Sequence, residues 1–368
     1  MNYFRQIDIN TSSTIKFLRF PMAVVIILLH SSFEYEIIDG KSILTGWNAP
    51  LYHHLDYVFV KNICNIAVPL FFLISGFLFF KEGELSLNLY KCKIKKRIKS
   101  LLFPYMIWNI IVCLFYLCVQ NLVPSMNSGR NKLILDYNIH DFIMMFWSMS
   151  YIKEGGMNGP MDTPLWFIRD LMVMMVLSPL FFLLIKKTKL LLPVLSLLLY
   201  VSGLWIGVPG FSSVALAFFG LGAYFAISHF DFTLFSKTNA RSFTISYILL
   251  LILVVVMNDN DMEFCWIKNF LVILGVFSSI GWAAWLTGNL YFKISTFLTS
   301  STFFVFASHC EILKVFIRLS SRIGIQNDLY FCLMYFVCPL LALSLVLFIY
   351  KFLQIYLPSV ASVLSGGR

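Results

Sequence analysis

Ten apolar runs separated by polar breaks leave this chain almost no way to fold in water. They cover 15–32, 57–80, 101–123, 165–185, 190–208, 213–228, 243–257, 265–288, 302–320 and 329–353. At a rise of about 1.5 Å per residue, most can cross a hydrocarbon layer as helices. Composition agrees: of 368 residues, 59% are hydrophobic and only 12% charged, and the mean hydropathy is +0.82. Inside a bilayer each backbone amide must bond within its own segment, so the expectation is an all-α integral membrane protein of about ten transmembrane helices. The 38 Phe suit lipid-facing surface, and the 8 Trp and 17 Tyr suit the two interfaces.

The net charge of +10 would suggest nucleic acid in a soluble chain. In a membrane chain Lys and Arg collect in cytoplasmic loops, so no nucleic-acid partner is expected. With the N-terminus inside, Lys81, Lys91, Lys93, Lys95, Lys96, Arg97, Lys99, Lys186, Lys187 and Lys189 fall on the cytoplasmic side. Lys41, Arg130, Lys132, Lys153 and Arg322 remain outside. Both termini are therefore expected in the cytoplasm, with the long loops 33–56 and 124–163 facing out. The domain reading is a cytoplasmic N-terminal segment (1–14), a ten-helix transmembrane domain (15–353) and a C-terminal tail (354–368) read as a disordered end. The first residues lack the small-x-small site of a cleaved leader. The eight Cys are scattered through apolar runs with no CxxC pair and read as small core side chains. No P-loop, GxSxG or HExxH occurs, which removes ATP-driven pumps and the common hydrolases.

Within the first apolar run stand Arg19 and His30. Eleven residues at about 100° each return both side chains to within roughly 20° of one azimuth, about 16 Å apart along the helix. Ionisable groups at membrane depth usually face a cavity. His30 can act as a general base on a hydroxyl, and Glu34 would sit a turn above to orient its ring if the helix continues. The bland alternative is an interfacial histidine with a snorkelling arginine.

The segments FLRFPMAVVIILLHSS, VPLFFLISGFLFF and TPLWFIRDLMVMMVLSPL, with the late STFFVFASHCEIL, resemble in order and spacing the acyltransferase family 3 membrane proteins. The resemblance runs from about residue 10 to 350. It implies a ten-helix O-acyltransferase of the bacterial cytoplasmic (inner) membrane. Such enzymes take an acyl group, usually acetyl, from cytoplasmic acyl-CoA and pass it to a hydroxyl of an envelope polysaccharide, lipid-linked saccharide or other glycan. The family's Arg-x10-His motif falls on Arg19 and His30, with the histidine catalytic. Acyl-CoA (acetyl-CoA foremost) is the implied donor and no metal is expected.

Around that reading stand further candidates. Lys93, Lys96 and Arg97 in the basic stretch before Pro104 suit either CoA phosphates or anionic lipid. His309 is placed about a third of the way into its helix from the cytoplasm, on the donor side. Trp166, Arg169 and Asp170 open the fourth helix at the outer side. For Trp166 an interfacial anchor competes with an acceptor contact, and for Arg169 a structural ion pair does. Glu311, Lys314 and Arg318 form a stripe at i, i+3, i+7, either a packing network or a cavity wall. Adjacent His53 and His54 lack the carboxylate spacing of a metal site. Two non-acyltransferase readings remain: a transporter of a small amino acid or glycan precursor, disfavoured by the absence of an internal repeat, and a sensor, which leaves Arg19 and His30 unused.

Overall fold

The computed structural model describes residues 9–38, 41–123, 132–152, 158–204, 207–258, 264–323 and 327–367; Arg130 and Lys153 lie outside them. The described chain is helical apart from a two-residue hairpin, Ile37–Ile38 with Lys41–Ser42, and short turns. In order the helices are α1 (Ile9–Leu29), α2 (Pro50–Phe59), α3 (Ala67–Phe79), α4 (Leu87–Arg97), α5 (Phe103–Leu122), α6 (Ile139–Met144), α7 (Trp166–Val176) and α8 (Ser178–Thr188). There follow α9 (Leu191–Ser202), α10 (Ser213–Ile227), α11 (Phe232–Thr238), α12 (Ala240–Asn258), α13 (Cys265–Asn289), α14 (Thr296–Ser320), α15 (Asp328–Tyr356) and α16 (Pro358–Leu364).

Among the described residues six helical stretches are long and apolar enough to cross a membrane: Asn10–Leu29, Pro50–Phe79, Leu87–Leu122, Ala240–Asn258, Cys265–Asn289 and Asp328–Tyr356. A seventh counts if Thr163–Val176 and Ser178–Thr188, bent by 61°, form one span. The structure thus breaks the run expected to be continuous over 165–185. Pro179 sits in the first turn of α8, lacks the N–H that would continue the ladder and crowds the preceding turn. Other runs are redrawn too. The helix expected from 57 begins at Pro50 and is interrupted by a 3-10 turn at Ile63–Ile66. The one expected to 208 stops at Ser202, where Gly203 takes the left-handed conformation (φ 68°) that ends helices. The tail read as a disordered end carries α16, and Trp108 Nε1 donates to Leu364 O at 3.0 Å.

The chain divides into two compact units. The first comprises the described residues of 1–22, 61–96 and 170–299. Here α3 and α10 pack backbone to backbone at two glycines. A Cβ on Gly222 would lie 2.0 Å from Leu73 O, and one on Gly76 would lie 2.2 Å from Phe219 O. Small residues at such a seam let membrane helices gain close van der Waals contact without help from water. Elsewhere in this unit hydroxyl pairs tie α1 to α11, Thr11 with Thr233 at 2.9 Å, and to α13, Thr14 with Thr287 at 3.1 Å.

The second unit comprises the described residues of 23–60, 97–169 and 300–368. The start of α15 caps the start of α2, because the Asp328 carboxylate accepts from the amides of Leu51 (2.8 Å) and Tyr52 (2.7 Å). Phe33 packs edge-on against Tyr52 and Phe331, whose own rings are tilted at 55° to each other. In the loop before α6, the Lys132 ammonium, 2.7 Å from Asp141, and the amide of Asn138 hold the Asp141 carboxyl below the usual carboxylate range.

Candidate active site

All the geometry below lies in the second unit unless stated. His30 sits one residue past α1, its amide bonded to Ile26 O (3.2 Å) and Ile27 O (3.1 Å). Opposite it, at a ring-centroid distance of 5.4 Å, is His309 from the middle of α14. That helix begins at Thr296, six residues earlier than expected, which moves His309 to mid-helix and next to His30. His309 is 0% exposed. Its Nδ1 lies 2.8 Å from Phe306 O and 3.1 Å from Val305 O. Both neighbours are acceptors, so Nδ1 carries the hydrogen and Nε2 holds the lone pair. Among the described residues no hydrogen-bond partner meets that Nε2. Two imidazoles thus face each other, one with a fixed tautomer and an unspent acceptor.

One turn further along α14, Lys314 Nζ donates to Glu311 Oε1 (2.8 Å) and to the Tyr116 hydroxyl (3.1 Å) on α5. Another turn on, Arg318 Nε meets Glu36 Oε2 at 3.1 Å. The charged stripe therefore ties α14 to α5 and to the segment after His30. Glu36 is buried and Arg318 is half-buried beside it. Glu36→Ala removes one partner of that half-buried guanidinium and is expected to cost about 1–3 kcal/mol, read by thermal unfolding in detergent against Glu36→Gln.

Asp162 also belongs to this neighbourhood. It is 0% exposed and precedes the turn that opens α7, yet its side chain makes no capping hydrogen bond. Neither carboxylate oxygen has a hydrogen-bond partner among the described residues. Its backbone is fixed, the amide donating to Asn109 Oδ1 at 3.0 Å. Glu311 and Lys314 are its charged neighbours. Sequence reasoning missed Asp162, Glu36 and Tyr116. An Asp just before Thr-Pro reads as a helix cap, and only its failure to cap singles it out.

The remaining candidates disperse. Glu34 is corrected: α1 stops at Leu29, so no turn places Glu34 above His30, and its Oε1 meets His53 Nδ1 at 2.9 Å. Arg169, 4% exposed, donates to Trp147 O and to Asn158 O (3.2 Å), with its guanidinium carbon 5.5 Å from the Trp147 ring centre. Those two bonds hold it to the loop before α7. Trp166 is half-buried in the first turn of α7. Asp170 is buried and belongs to the first unit, as do Arg19, half-buried within α1, and Lys93 and Lys96 on α4. Lys93 is engaged by Glu82 and by Phe79 O, while Lys96 is exposed and Arg97, at the end of α4, half-buried. No group of three or more His, Cys, Asp or Glu that could hold a metal occurs among the described residues.

A multi-pass helical membrane protein with paired imidazoles beside a buried charge network is the class that fold and site define. The chain matches the Acyltransferase domain family over residues 13–352 and belongs to it. It is also similar to the Succinoglycan biosynthesis protein ExoH of Rhizobium meliloti (strain 1021), 23% identical over 375 residues covering 98% of this chain and 94% of that protein. No solved structure matches.

Proposed function

We propose that the protein transfers an acyl group, acetyl foremost, from cytoplasmic acyl-CoA to a hydroxyl of an envelope glycan at the outer membrane face. The observation that carries this reading is the His30–His309 pair, an unspent ring nitrogen on a tautomer-locked histidine beside the residue of the Arg-x10-His motif. His30 takes the proton of the acceptor hydroxyl as its oxygen attacks the thioester carbonyl. The C–O bond forms, the C–S bond breaks, and the departing thiolate receives that proton from His30, leaving an ester and free CoA. His309 holds His30 in position through its fixed ring. Arg19, Arg97, Lys96 and Lys93 serve the donor's phosphates and carbonyl on the cytoplasmic side, and Trp166 borders the acceptor entrance.

The glycan acceptor is supported by the relative named for succinoglycan biosynthesis. Ten crossings follow if the bent pair, α9, α10 and α14 each span along with the six longer stretches. On that reading both termini lie in the cytoplasm, which the basic loops support, and the membrane is the inner one. The test is release of CoA thiol from acetyl-CoA and succinyl-CoA by the purified protein, followed with a thiol reagent. Release above the detergent blank is expected. None from either donor removes the acyl-CoA reading and brings the transporter alternative forward.

A further inference from the structure

A buried carboxylate whose two oxygens meet no donor is costly. Leaving it unpaired forfeits several hydrogen bonds, and burying its charge uncompensated costs more. Among the described residues Asp162 is in that position, on a backbone held in place by Asn109 and beside Glu311 and Lys314. Capping α7 would be its ordinary use and is not taken. The surroundings also restrict what can satisfy it. Among the described residues its charged neighbours Glu311 and Lys314 pair with each other at 2.8 Å, which leaves the Asp162 carboxylate the unbalanced group there. An anionic ligand would add to the excess negative charge, so the partner has neutral donors. A carboxylate with both oxygens open suits two adjacent hydroxyls, the vicinal diol of a sugar ring.

We infer that Asp162 is an acceptor-recognition residue that takes hydrogen bonds from a vicinal diol of a neutral sugar and so presents a neighbouring hydroxyl to His30. This rests on the acyl-transfer reading and extends it to the acceptor. The preference it implies is for neutral hexose units over uronic acids.

The experiment uses the full chain in detergent, wild type beside Asp162→Asn and Asp162→Ala, with succinoglycan stripped of its acyl groups by mild alkali as probe and acetyl-CoA as donor. The probe-dependent part of thiol release gives a saccharide KM, and titration of acetyl-CoA gives a donor KM. Asp162→Asn keeps shape and one acceptor oxygen, so it separates recognition from misfolding if Asp162→Ala fails to fold. The expected result is a rise in saccharide KM of at least about tenfold in Asp162→Asn, with a much smaller change in donor KM. Equal saccharide KM in wild type and Asp162→Asn overturns the inference, as does a donor KM that shifts in step. Wild-type release that the probe neither stimulates nor inhibits also overturns it. If wild type releases no thiol at all, the acyl-transfer reading is what fails. Equilibrium binding of tritiated probe then decides for Asp162: loss in Asp162→Asn upholds it, and equal binding or none overturns it.

Discussion

His30→Ala is expected to lower thiol release from acetyl-CoA by about a thousandfold, the range general-base catalysis supplies, while the protein still binds the donor and elutes as a folded species. The side chain lies just past the end of α1, and its backbone amide, which the substitution keeps, makes the bonds that close the helix. Loss of the ring thus removes chemistry more than structure. His309→Ala should fall by a smaller factor, about ten to a hundredfold, since that ring acts through His30. His309→Asn should not rescue it, because a shorter amide can satisfy the helix carbonyls but does not restore the imidazole that faces His30. Activity of His30→Ala within about threefold of wild type would end the assignment of the base.

Gly222→Ala should leave little folded protein. The new methyl carbon would stand 2.0 Å from Leu73 O and 2.8 Å from Phe77 N, both backbone atoms of α3 with no rotamer to give way. The helices must part along the seam, where Gly76 already fits against Phe219 O, and the contact along α3 and α10 is lost with them. Overpacking of well-fitted cores costs about 1–3 kcal/mol, and a clash against two backbones belongs at or above the upper end. Gly207→Ala is the control: nothing lies within 4 Å of its Cβ, and it should unfold with wild type to within about 0.5 kcal/mol. Yield and thermal midpoint in detergent distinguish the two. A Gly222→Ala protein with a wild-type midpoint would mean the seam is looser than described.

How much of this was legible beforehand follows the range of each interaction. α13 was expected over 265–288 and runs Cys265–Asn289, because a long apolar signal needs no partner to be read. The breaks at Ile63–Ile66 and Pro179 were blurred, since hydropathy is blind to a missing backbone donor. α16 was missed because its seat is Trp108, far away in sequence. His30 showed itself as an ionisable group in an apolar run. Its partnership with His309, and that of Glu36 with Arg318, joins opposite ends of the chain and leaves no trace in either segment alone. For Glu34 the expectation failed on one local event, the end of α1 at Leu29.

The charges on α14 bear on how the chain is made. A charged group near a helix centre costs about 2.5–3.5 kcal/mol to insert alone, and α14 carries Glu311 and Lys314 within its length and Arg318 in its last turn. On the ten-span reading it cannot enter the bilayer unaided. Its outside partners, Tyr116 and Glu36, are both synthesised before it. Insertion of the ninth crossing then waits on earlier segments, which hold a polar berth open for it, and a variant lacking Glu36 should carry less membrane-integrated α14 during biogenesis, a loss of yield separate from the lower stability of the protein that matures.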